Sequence, residues 1–171
     1  MRYIFLSITA LLITTQIAMA DVWQVRNIKD EFAGTSFVRI HTDPLSLNKP
    51  MEFPYQDLRV QASVECGGGR ETFELFFSKN PNLTNYTHLR VGNEIYQKVA
   101  VKARLDDGDI KTFTGYIKSG GSRLTFIEDG EINAILTSKK VMLQMDFYKG
   151  TRHITIDMSK RQKCQNQLTK K

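Results

Sequence analysis

Apolar and polar residues alternate along most of this chain with a period of two. Val60, Ala62, Val64 and Cys66 are interleaved with Arg59, Gln61, Ser63 and Glu65. Phe73, Leu75 and Phe77 are interleaved with Thr72, Glu74 and Phe76. Val99, Val101, Ala103 and Leu105 face off against Lys98, Ala100, Lys102 and Arg104. Val141, Leu143, Met145 and Phe147 repeat the theme, followed by Ile154, Ile156 and Met158. Successive side chains of a strand point to opposite faces, so this pattern means one face packed on a core and the other wet, the mark of antiparallel sheets.

Turn chemistry separates the runs. Cys66-Gly67-Gly68-Gly69, Asp106-Asp107-Gly108-Asp109, Ser119-Gly120-Gly121-Ser122 and Tyr148-Lys149-Gly150-Thr151 each stand between two alternating segments, where glycine and aspartate suit hairpin turns. The pattern predicts strands near 22–27, 35–42, 58–66, 71–78, 97–106, 111–118, 122–128, 140–148 and 151–158. Residues 130–138 place Ile132, Ile135 and Leu136 at helical spacing and predict one short helix. A last helical turn fits near 159–168. Residues 43–57, with Pro44, Pro50 and Pro54, read as irregular, as do 80–92. The expected fold is all-β: a single antiparallel β-sandwich or partly closed twisted sheet with one short helix.

The first twenty residues read as a signal peptide. Arg2 supplies the positive start, Tyr3 to Ile17 an apolar run, and Ala18-Met19-Ala20 a small-x-small cleavage pattern. The expectation is a periplasmic or secreted protein that begins at Asp21 and forms one β-rich domain over 21–171, without a membrane span of its own. Its two cysteines, Cys66 and Cys164, are then read as one structural disulfide, the usual use of an isolated pair in an oxidising compartment. Closing a loop of roughly a hundred residues is worth up to about 4.7 kcal/mol by chain entropy.

Charge is uneven. Residues 138–171 carry nine Lys/Arg against two Asp/Glu, whereas 21–137 carry 14 against 16. Lys139, Lys140, Arg152, Lys160, Arg161 and Lys163 are therefore the candidate partner-binding residues, suited to an envelope protein or to an acidic cell-wall or lipid head-group surface. No nucleic-acid recognition motif is present.

No catalytic set assembles from the sequence. His41, His88 and His153 lack a neighbouring nucleophile elbow, and the acids fall in turns or on wet strand faces. Asp106 to Asp109 lacks the spacing of a calcium loop, and Gly67-Gly68-Gly69-Arg70 lacks the Lys-Ser/Thr of a phosphate loop. No metal or cofactor is expected. The function this leaves is non-enzymatic binding or an accessory role in the envelope. Its alternatives are an inhibitor of a periplasmic hydrolase such as lysozyme, or a cell-wall hydrolase using carboxylates or His153.

Several short segments resemble small exported β-domain proteins of Gram-negative bacteria, nearest the periplasmic accessory protein associated with type VI secretion clusters. They are Leu58, Val60 and Cys66 in one strand; Val101, Arg104, Asp106 and Gly108 in a strand and turn; Leu124 and Phe126; and Ile154, Ile156 and Cys164. The resemblance implies an accessory role linked to secretion.

Mass spectrometry of protein from an envelope fraction should find an amino terminus at Asp21. An intact Met1 in carbonate-resistant membranes would contradict the export reading.

Overall fold

A computed structural model describes residues 23–30, 35–67 and 70–162. The predicted signal peptide at 1–20, Lys163 and Cys164 lie outside these residues. The strands are β1 (Trp23–Asp30), β2 (Thr35–Thr42), β3 (Leu45–Ser46), β4 (Arg59–Gly67), β5 (Arg70–Phe77) and β6 (Tyr86–Val91). After them come β7 (Glu94–Leu105), β8 (Ile110–Lys118), β9 (Arg123–Phe126), helix α1 (Asp129–Thr137), β10 (Lys140–Phe147) and β11 (Gly150–Asp157). All join one antiparallel sheet in the order β1-β2-β4-β5-β9-β8-β7-β10-β11, with β3 beside β4 and β6 beside β7.

One face of this sheet is dry. Val60, Ala62, Val64 and Cys66 of β4 are buried, as are Phe73, Leu75 and Phe77 of β5. Val99, Val101 and Ala103 of β7 join them, with Val141, Leu143, Met145 and Phe147 of β10. The sheet bends over so that this face packs against itself. Phe77 of β5 meets Phe147 of β10 edge-on, with ring centroids 6.4 Å apart, although three strands (β9, β8 and β7) stand between them along the sheet. β1 and β11 do not pair, so the sheet stays open as a backbone ladder. Trp23 and Asn48 reach across to β11 instead. Trp23 Nε1 donates to the Asp157 carbonyl at 2.7 Å. Asn48 N–H donates to the His153 carbonyl at 3.0 Å, and its Oδ1 accepts from His153 N–H at 2.8 Å.

The alternation placed nine strands within a few residues of their observed positions, and the helix one residue away. Two strands lie in segments read as irregular. β3 has two residues within 43–57, and β6 lies within 80–92. All six residues of β6 are exposed, so it has no buried stripe to announce it. It is held by its ladder to β7, which starts three residues before the predicted strand. Where the last helix was predicted, residues 158–161 form a single turn, with Arg161 N–H donating to the Met158 carbonyl; residues 163–168 lie outside the described residues.

α1 carries the chain from β9 to β10, which are not neighbours in the sheet. It buries Ile132 and Ile135, and its Glu131 carboxylate accepts the Thr114 N–H of β8. At Asp106 the backbone is left-handed (φ 52°), and Gly108 N–H closes the turn on the Leu105 carbonyl at 3.0 Å. Asp106 Oδ1 also accepts the N–H groups of Lys139 and Lys140, both at 2.9 Å. The acidic turn is thereby tied to the start of β10.

Gly115 is required by a close approach. A Cβ there would stand 2.8 Å from Cδ1 and 2.9 Å from Cγ of Leu124, a fully buried side chain with nowhere to move. Gly115→Ala should destabilise the protein by about 1–3 kcal/mol, the scale of core overpacking. Urea titration checks this, and a midpoint unchanged from the parent would refute it.

Candidate functional site

The outer face of the sheet is not uniformly wet. On β5, Thr72, Glu74 and Phe76 point away from the core, yet Glu74 is only 6% exposed. This corrects the expectation that the acids occupy turns or wet faces. Its cross-strand neighbours are Ser63 on β4 and Thr125 on β9. Thr125 Oγ1 donates to Glu74 Oε1 at 3.0 Å. Glu74 Oε2 is buried without a hydrogen bond, as is Ser63 Oγ. Arg123 Nη1 stands 4.0 Å from Oε2, and the Arg123 side chain is half exposed, so the ion pair is a weak one.

Phe76 continues the same face. Arg39 Cζ lies 5.2 Å and Arg123 Cζ 5.8 Å from its ring centroid, within cation–π range. Arg39 Nη2 donates to Glu65 at 2.6 Å. Aromatic ring, guanidinium groups and carboxylates thus form one connected layer on the outside of β2, β4, β5 and β9.

Toward β6 this layer opens into a groove of about 920 Å³. Glu74, Phe76 and Thr125 lie along one side; Tyr116 of β8 and Tyr96 of β7 continue it; Leu89 and Val91 of β6 and Ile127 after β9 also line it. The register explains the grouping. Leu89 pairs with Tyr96, Tyr96 with Lys118, Tyr116 with Thr125, and Thr125 with Glu74, so all share the outer face. Leu89, Val91 and Ile127 are 43%, 56% and 54% exposed, an apolar border left in water. Lys118 and Tyr96 both bind Glu94, which holds the Glu94 carboxyl below and the Lys118 ammonium above their ordinary values.

The candidate basic residues are not one patch. Lys139 and Lys140 stand exposed at the start of β10, near the end of β11, with Lys160 and Arg161 just beyond that strand. Arg161 donates to the Leu136 carbonyl at 3.3 Å. Arg152 pairs with Met145, five residues along β11 from the Lys140–Asp157 pair, or about 17 Å away. Its guanidinium lies against the carbonyls of Thr151, Pro50 and Lys149. The charge count could not reveal this separation.

Reasoning from charge also missed the groove. The available signal was aromatic: Phe76, Tyr96 and Tyr116 all occupy polar phases of their strands. His41 contacts Gln61, His153 is tied through its backbone to Asn48, and His88 packs edge-on against Tyr86. Among the described residues no cluster of three or more His, Cys, Asp or Glu could hold a metal, and no helix is long and apolar enough to cross a membrane.

Comparison with family models, curated proteins and solved structures finds no match for this chain.

Loss of hydration raises the Glu74 carboxyl above its ordinary value of 4.5, with Arg123 pulling the other way. The folded state therefore holds this proton more tightly than the unfolded chain does. Its contribution to stability is complete below about pH 4.5 and is lost as pH rises through the folded value. Glu74→Gln should remove that loss and melt at or above the parent temperature at neutral pH. Thermal melts from pH 4 to 8 check this, and curves that stay parallel for both proteins would contradict it.

Proposed function

We propose that this chain is an exported, non-enzymatic binding protein of the cell envelope that recognises a partner through the groove on its outer sheet face. The observation that carries the reading is the combination of apolar border, aromatic lining and buried, under-bonded Glu74. Folding the core asks for none of these, because the other face supplies it. Exposed apolar surface and an unsatisfied buried carboxylate both cost stability, and a bound partner would relieve both. An accessory role linked to secretion, as the sequence resemblance implies, is compatible with such a site.

The proposal includes cleavage after Ala20 and a Cys66–Cys164 disulfide. Supporting the bond, Cys66 is buried at 1% exposure and pairs with Glu71 across β4 and β5. The Glu71 charge acts on Arg161, three residues before Cys164 in the chain. Arg161 therefore lies toward the end of the sheet where Cys66 sits. Non-reducing peptide mapping should recover the linked pair, and Cys164→Ser should cost about 2–5 kcal/mol. Two freely alkylatable thiols in periplasmic protein would refute the bond.

Mature protein used as bait on an envelope extract tests the function. Tyr96→Ala with Tyr116→Ala should reduce capture tenfold or more, the scale of losing aromatic anchors. The Gln variant at Lys139, Lys140, Arg152, Lys160 and Arg161 should retain capture. The opposite result would move recognition to the basic end. Release of muropeptides from purified sacculi would replace binding with hydrolysis.

A further inference from the structure

We propose that an extended segment of a partner protein is added as a strand to the free edge of β6, at the rim of the groove, with its alternate apolar side chains laid beside Leu89 and Val91. This inference rests on the groove being the recognition surface and goes further by naming what docks along its rim.

Val91 and Glu94 flank a two-residue loop, with Gly92 at φ +59°. In such a hairpin the flanking pair exchanges both of its hydrogen bonds, and bonding alternates from there. Val91, Leu89 and Thr87 thus bond to β7, whereas the N–H and C=O groups of Arg90 and His88 face outward. Among the described residues β6 pairs with β7 alone. The strand contains no Pro or Lys, two of the common devices that blunt a sheet edge. A free edge of this kind is the template used in recognition by strand addition, where main-chain bonds give affinity and alternate side chains give specificity.

The side-chain argument selects what is added. Leu89 and Val91 share the groove face, and side chains of an added strand would lie about 4.5–5.5 Å from them. The groove's charges sum to zero, Lys118 and Arg123 against Glu94 and Glu74. That balance offers nothing to a highly charged polymer and suits uncharged apolar side chains. A peptide satisfies both requirements, an unpaired backbone and an apolar strip. A lipid chain satisfies only the second, and a glycan has hydroxyls but neither the regular ladder nor the alternating side chains of a strand.

A photo-crosslinking residue placed at Val91, and separately at Ile127, in the exported protein tests this in cells, with Lys111 as the exposed control. The Val91 adduct should map to one short partner segment with alternating apolar residues. A synthetic peptide of that sequence should bind the mature protein. N-methylation of its alternate amides should weaken binding at least tenfold, and so should His88→Pro. That substitution removes an outward N–H and leaves the β7 ladder intact, as edge strands tolerate. Circular dichroism and the melting temperature of the His88→Pro variant establish that it is folded. Tight binding that ignores both changes would overturn strand addition and leave the groove standing. Adducts to lipid, to glycan or to a second copy of this chain would overturn the partner peptide. No adduct above the Lys111 control at either position would overturn the groove reading itself.

Discussion

The dry face of a single sheet must be buried largely against itself, since α1 fully buries just Ile132 and Ile135, with Ala134 and Leu136 packed beside them. Fully burying a Val, Leu, Ile, Phe or Met side chain is worth about 1.5–3 kcal/mol, against about 1 kcal/mol net for a hydrogen bond. The stripe running through β4, β5, β7, β10 and β11 therefore dominates the energetics and forces the sheet to fold over. Pairing β1 with β11 would add ladder bonds. The structure instead closes the gap with the Trp23 indole and with Asn48, which bond to carbonyls of β11. Gly115 fits the same account, because folding β8 tightly onto β9 leaves Leu124 in the space a Cβ would need.

A core that is complete on one face sets the outer face free. Phe76 could be polar without opening a cavity, yet it lies under two guanidinium groups. Ser63 and Glu74, cross-strand neighbours, each bury an oxygen that accepts or donates nothing. A buried acceptor without a partner costs about 1–3 kcal/mol. Such costs mark the part of the molecule where requirements other than folding operate. The groove begins at that part.

The core strands could be read from the sequence because burial itself writes the period-two pattern. β4, β7 and β10 show it plainly, and their turns carry the glycines and aspartates that hairpins need. β6 could not be read this way: Tyr86-Thr87-His88-Leu89-Arg90-Val91 is exposed on both faces and persists through its pairing with β7. The groove was hidden for a related reason. Phe76, Tyr96 and Tyr116 stand on polar phases, and only the register of five strands brings them to one surface. Glu74 looks identical in sequence to Glu65, which is ion-paired with Arg39, and only the neighbours across the sheet separate them.

Electrostatics divides the molecule along β7. The basic residues Lys139 and Lys140 sit where Val141 pairs with Leu105, at the carboxyl end of that strand. The groove uses Tyr96, near its amino end. Nine residues of extended chain separate the two, roughly 30 Å. Exposed charges are screened within about 8–10 Å at ordinary ionic strength. The basic end therefore cannot set the potential inside the groove, whose own charges sum to zero. It can orient the molecule toward an acidic surface while the groove does the recognising, and the two contributions separate by their response to salt: encounter weakens as screening rises, and the apolar contact does not.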